Sequence, residues 1–305
     1  ILYDESQIEQ GRNFNNKVWN AFRLVTGWNG DASLNQPEAS AVAVKWFENK
    51  LSQVVETVED HFAKFRISDA LMAIYKLFWD DFCAWFLEAV KPAYGAGIDK
   101  ATYDATICFF DALLKMIHPI MPFITEELWQ NMAERKAGET IMNQRYPQAN
   151  PYDVEFINAF DMACDAVAGV RNIRQSKNLS PREALELKIK GAFPAEVLPV
   201  VMKLANVTVS EAEGDMSAAQ RFMVRTVEMF VPLTGLINVE EEIAKLETEL
   251  AYQQKFLDSV RKKLSNERFV ANAPEAVVAV ERKKEADSLS KVESITASLN
   301  ALKNN

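Results

Sequence analysis

The strongest constraint on this chain is an apolar repeat near its end. Val239, Ile243, Leu246, Leu250, Leu257, Val260 and Leu264 follow one another at steps of 4, 3, 4, 7, 3 and 4. That spacing holds one stripe of a helix against a partner helix, with Gln253 as a polar intruder at the skipped position. A break from Ser265 to Ala273 follows, then Pro274 and Glu275, which suit the first turn of a second helix. The second seam carries Val278, Leu289, Val292 and Leu299, diluted by Arg282, Glu285 and Thr296. Two helices joined by so short a break predict an antiparallel hairpin. Its first helix, at about 1.5 Å per residue, would be about 40 Å long, so much of it is expected to project.

Charge along this arm is polarised. From Val239 to Gln254 five acids face a single base, whereas from Lys255 to Lys284 eight bases outnumber four acids. The whole chain carries a net charge of −9, so any attraction to a polyanion must be local. Arg261, Lys262, Lys263, Arg268, Lys283 and Lys284 are the candidates for it, against the plain alternative of a solvated coiled coil with mixed charges.

The rest of the chain reads as mainly helical, in keeping with few glycines and prolines and a hydrophobic content of 49%. Residues 10–30 hold Arg12, Lys17 and Arg23 and no acid, with Asn13, Asn15, Asn16 and Asn20 interleaved among Phe14, Val18, Phe22 and Val25. This predicts a helix with an outward face of amides and bases; an ordinary amphipathic helix is the competing reading. Further helices are expected over about 44–62, over 71–86 with Ser68 as cap and Pro92 as stop, over 100–118, and from a Thr125 cap onward. Their aromatic stripes predict a shared bundle core. A connector is expected at 136–153, then a helix from Asp153 to Lys177 whose closing Arg171, Arg174 and Lys177 suit the helix dipole. Alternation at Leu185–Ile189, Val207–Val209 and Val227–Leu233 predicts three short strands, with a helical piece near Ala195–Leu204 between two of them.

The predicted architecture is therefore mainly α, with a helical bundle over 1–150, a small α+β module over 151–238 and a coiled-coil hairpin over 239–305. Three widely separated cysteines suit buried thiols in a reducing compartment. No signal peptide, bilayer-spanning run, glycine-rich phosphate loop, metal cluster or nucleophilic triad is evident. His118 reads as a structural residue. The start at Ile1 suggests a piece of a longer protein.

Several stretches carry a resemblance. GRNFNNKVWNAFR (11–23), WDDFCAWFLEAVKP (79–92), HPIMPFITEELW (118–129) and RNIRQSKNLSPREAL (171–185) resemble successive parts of the anticodon-binding region of class Ia aminoacyl-tRNA synthetases. KLSNERFVANAPEAVVAVERKK (263–284) is similar to the turn of the C-terminal arm of valyl-tRNA synthetases. The resemblance spans the whole chain in order. It implies a tRNA(Val)-binding, cytoplasmic part of a monomeric enzyme that joins valine to tRNA(Val) with ATP and Mg²⁺. It implies no catalytic residue, cofactor or metal in this stretch, no membrane contact and no DNA contact. Lys17 and Arg23 would face the anticodon stem and loop, Leu24 and Leu87 would offer apolar contact to bases, and Arg12, Asn13 and Asn20 would assist. The six arm cations would meet the outer corner of the tRNA. The alternative is a structural module whose coiled coil pairs with another chain.

Overall fold

A computed structural model describes residues 5–214, 216, 219–233, 239–265, 280–282, 284, 285, 288, 289, 291, 292 and 296. The chain divides into two compact units, Ile1–Pro232 and Leu233–Asn305.

The first unit begins with α1 (Glu5–Thr26). Phe14, Val18, Ala21 and Val25 turn inward at helical spacing. A two-residue strand, β1 (Gly30–Asp31), precedes α2 (Glu38–Ala63). The next helix begins at α3 (Ile67–Lys76), one residue ahead of Ser68, and Arg66 at its cap makes no side-chain bond. Ser68 is therefore inside the helix and is not the cap expected from sequence.

From Leu77 to Phe86 the same helix widens into π geometry before narrowing again as α4 (Leu87–Val90). The sequence was read at the α period, and here the difference decides a residue's environment. An α-helix turns by about 100° per residue and a π-helix by only about 80°. Nine residues beyond buried Phe78, an α-helix would carry Leu87 to the opposite face, whereas π winding returns it to within about 20° of the core. Leu87 is 3% exposed. Phe78, Phe82 and Phe86 recur every four residues, and Phe47 of α2 meets Phe82 and Phe86 at 5.2 and 5.1 Å between ring centroids.

Strand β2 (Ile98–Asp99) pairs in parallel with β1 and leads into α5 (Lys100–Ile117). Asp99 caps α5 by accepting from the Thr102 N–H at 2.8 Å. α6 (Pro122–Met132) starts on its proline. Thr125 lies within α6, where its hydroxyl donates to the Met121 carbonyl at 2.8 Å instead of capping. It also meets His118 Nδ1 at 2.7 Å, which gives His118 a structural partner. The connector at 136–153 has one short 3₁₀ turn, Ile141–Asn143.

α7 (Val154–Ser176) is capped by Asp153 and binds the α+β elements to the bundle. Trp46 of α2 stacks on Phe160 of α7 at 3.9 Å with only 7° between the rings. The strands β3 (Leu185–Lys190), β4 (Val207–Glu211), β5 (Ala219–Val224) and β6 (Val227–Pro232) form a sheet in the order β4-β3-β6-β5. β3 and β4 are parallel, linked through α8 (Leu198–Ala205), and the other neighbours are antiparallel. Four strands thus stand where alternation predicted three. β5 was missed because its exposed Gln220, Arg221 and Met223 break the alternation.

Arg174 does more than face a helix dipole. Its buried guanidinium donates to the carbonyls of Ser180, Ala205 and Asn206 at 2.8, 3.0 and 3.0 Å. Gly169 marks the closest approach of α7 to the sheet, since a Cβ there would lie 2.1 Å from the Phe222 ring. Gly169→Ala is expected to cost about 1–3 kcal/mol through overpacking, read as a lower urea midpoint. A midpoint unchanged or raised, as helix propensity alone would give, would refute this.

In the second unit α9 (Val239–Leu264) is followed by further helical residues between 280 and 296. Along residues 250–264 the expected seam is the less exposed face: Leu257 and Val260 are buried, Leu250, Gln253 and Leu264 half-buried, and the others exposed. The second seam departs from expectation. Glu281 and Ser288 are buried and Glu285 and Val292 half-buried, while Arg282, Leu289 and Thr296 are exposed. Among the described residues the inward stripe is thus rotated and carries Glu281, Glu285 and Ser288 beside Val292. Val278 and Leu299 lie outside the described residues.

Candidate nucleic-acid interface

α1 presents Arg12, Asn13, Asn16, Trp19, Asn20 and Arg23 outward, all exposed. Its buried stripe is apolar, so the outward face is left to amides and bases. Arg12 is tied to Glu9 at 3.3 Å, an exposed pair worth little and easily exchanged for another anion. Lys17 is half-buried beside this face, with its ammonium 5.2 Å from the centre of the Trp79 ring. Trp79 in turn stacks on Tyr75 at 5.5 Å. The ammonium is thereby held over an aromatic pair instead of trailing free. Leu24 is half-buried at the last turn of α1. Leu87 is sealed in the core, so the apolar contact expected of it is not at the surface.

The N-terminal half of α1 borders a surface of another character. Phe14, Leu71, Met72, Ile117, Ile120 and Met121 help to line a groove of about 630 Å³ with no cation among its lining residues. It lacks the chemistry that would meet a phosphate.

On the second unit Arg261 pairs with Glu285 at 3.0 Å, and Lys263 and Lys284 reach Glu281 at 3.9 and 2.8 Å. Sequence reading found these cations but not their partners, because the partners depend on the register between the two helical segments. The Lys284 hydrogen bond, with Lys263 behind it, holds the Glu281 carboxyl below its ordinary range although desolvation works the other way. One carboxylate therefore serves two ammonium groups; the lysine ends are exposed, whereas the Glu281 side chain is buried. The exposed Arg261–Glu285 pair contributes little and exchanges readily for a denser anion. Lys262 is exposed and makes no ion pair among the described residues. Arg268 and Lys283 lie outside the described residues.

Among the described residues no helix is long and apolar enough to cross a membrane, and no group of three metal-ligating side chains comes together.

Two family models match this chain in succession. Residues 44–189 match the anticodon-binding domain of tRNA ligase. Residues 238–303 match the valyl tRNA synthetase tRNA binding arm. The chain belongs to the valyl-tRNA synthetase family, of which it carries these two domains. It is 52% identical over 303 residues to the valine–tRNA ligase of Parabacteroides distasonis, covering 99% of this chain and 35% of that protein. Against those of Porphyromonas gingivalis and Listeria monocytogenes the identities are 50% and 34%, again over 99% of this chain and 35% and 36% of theirs. The chain thus spans about a third of the length of the curated relatives it matches.

Proposed function

We propose that this chain is the tRNA(Val)-recognition part of a valine–tRNA ligase. The helical bundle takes the anticodon region, and residues 239–305 form a coiled-coil arm that takes the outer corner of the same tRNA. Joining valine to tRNA(Val), with ATP and Mg²⁺, falls to the part of such a protein outside this chain. The three-part division at 150 and 238 is one of labour: reading, bracing and gripping.

The observation that carries the reading is the outward face of α1, which over residues 10–30 has three bases, exposed amides and no acid. Single-stranded loops are read by stacking and hydrogen bonds on splayed bases, while phosphate contacts fix position. Asn13 and Asn20 supply paired donors and acceptors, and Arg12, Lys17 and Arg23 supply positive charge. Leu24 packs beside them. On the arm, Arg261, Lys262, Lys263, Arg268, Lys283 and Lys284 supply charge for the second contact. Two tethered contacts raise effective concentration, so each can be weak alone. The competing idea, a module that self-associates through its coiled coil, is disfavoured by the second seam, where Glu281, Glu285 and Ser288 take inward positions.

The test is equilibrium binding of the 305-residue chain to tRNA(Val) and to the same tRNA with a foreign anticodon. The native anticodon is expected to bind tighter, and Lys17→Ala to narrow the difference by about tenfold, the loss of one charge-assisted contact of about 1.5 kcal/mol. Equal binding of both RNAs by the unmutated chain would remove the anticodon role.

A further inference from the structure

α1 ends, α4 ends and α5 begins at one end of the bundle. The loop between Val90 and Ile98 reads Lys-Pro-Ala-Tyr-Gly-Ala-Gly. Its turn is closed by the Ala96 N–H donating to the Ala93 carbonyl at 2.9 Å. Tyr94 and Gly95 form the corner, and Gly95 has a φ of +79°, a conformation that suits glycine. The Tyr94 side chain is 108% exposed and has no ring contact or hydrogen bond among the described residues.

The loop that carries Tyr94 is braced on the segment leading out of α1. β1 and β2 bridge Gly30 to Ile98 and Asp31 to Asp99. A Cβ on Gly97 would lie 3.4 Å from Leu34 Cδ1 and 3.9 Å from Asp31 Cβ, so the two loops touch. Along that segment lie half-buried Trp28 and exposed Leu34, and Arg23 stands exposed in the last turn of α1. Lys91, three residues before Tyr94, is exposed and only loosely paired with Glu88 at 3.6 Å.

This surroundings set the chemistry of the partner. A protein-docking surface would extend the apolar area around the ring. Here the loop supplies a lysine and small residues, with an arginine on the adjoining helix end. A bare ring on a braced turn, with exposed Lys91 three residues away, suits a planar, anionically tethered group, which is an unpaired nucleobase. We infer that Tyr94 is a stacking platform for one unpaired base of the bound tRNA, with Lys91 and Arg23 as flanking backbone contacts. This rests on the tRNA-binding reading and adds to it a contact outside α1.

The experiment compares the full chain with its Tyr94→Ala and Tyr94→Phe variants, using tRNA(Val) and its isolated anticodon stem–loop. The stem–loop carries 2-aminopurine at each loop position in turn, so that stacking is read as quenched emission. Because nothing packs on Tyr94, both variants should melt with the parent. Tyr94→Ala is expected to weaken binding about tenfold, the scale of one base–aromatic stack, and to relieve the quenching at one loop position. Tyr94→Phe should keep both. Unchanged affinity in Tyr94→Ala, or a loss of affinity with no change in any 2-aminopurine signal, overturns the inference. If the unmutated chain binds neither RNA, the tRNA reading fails and this inference with it. If the unmutated chain binds and Tyr94→Ala binds equally well, the stacking role alone is lost.

Discussion

A chain with Lys262, Lys263, Lys283 and Lys284 replaced by alanine is expected to bind tRNA(Val) with a much flatter salt dependence. If all four meet phosphates, the slope of log K against log salt should fall by about 3–4. Between ~50 and ~200 mM salt the unmutated chain would then lose on the order of a hundredfold more affinity than the variant. The expectation depends on these charges being available. Lys262 has no ion-pair partner among the described residues, and Lys263 and Lys284 share the single carboxylate of Glu281. An RNA backbone offers more negative charge than that carboxylate, and this must outweigh the cost of leaving the buried Glu281 without its two lysines. Superimposable salt plots would mean the cations do not touch RNA. The Glu281 pairs also have a sign in pH. Its carboxyl is held below its ordinary range, so their contribution is present at neutral pH and is lost as pH falls through that lowered value.

The second large effect concerns stability. Arg174→Ala should destabilise the first unit by about 3–5 kcal/mol, because three carbonyls lose a charged donor at a buried position. The loss would fall where α7, the end of α8 and the loop after α7 converge. Arg174→Lys should recover little, since one ammonium cannot reproduce the fork of a guanidinium across three acceptors. Urea unfolding followed by far-ultraviolet circular dichroism measures both. A shift under about 0.5 kcal/mol for Arg174→Ala would show the three bonds to be replaceable by water.

Much of the helical layout was legible in the residues. Phe14, Val18 and Val25 announced the buried stripe of α1, and the spacing from Phe156 to Val170 announced α7. Residues 250–264 of α9 face as their spacing requires. Alternation located β3, β4 and β6, because in each the apolar residues recur at every second position. The acid-free face of α1 from residue 10 onward was legible from spacing in the same way, although the helix begins earlier and brings Glu5 and Glu9.

What remained hidden depended on neighbours remote in sequence. Leu87, which the resemblance put against anticodon bases, is buried in a stretch of π winding, which local spacing does not encode. The partners of Arg261, Lys263 and Lys284 and the rotated second seam follow from the register of two helical segments. β5 lacks alternation and exists because β6 offers it an edge. Arg174 looked like a dipole complement until the end of α8 and the loop after α7 brought their carbonyls to it. The sequence by itself determined periodicity and the sign of charge along each helix, because those are properties of consecutive residues. Only the tertiary structure decided which of those faces stayed in water, because burial is settled by the segment that packs opposite.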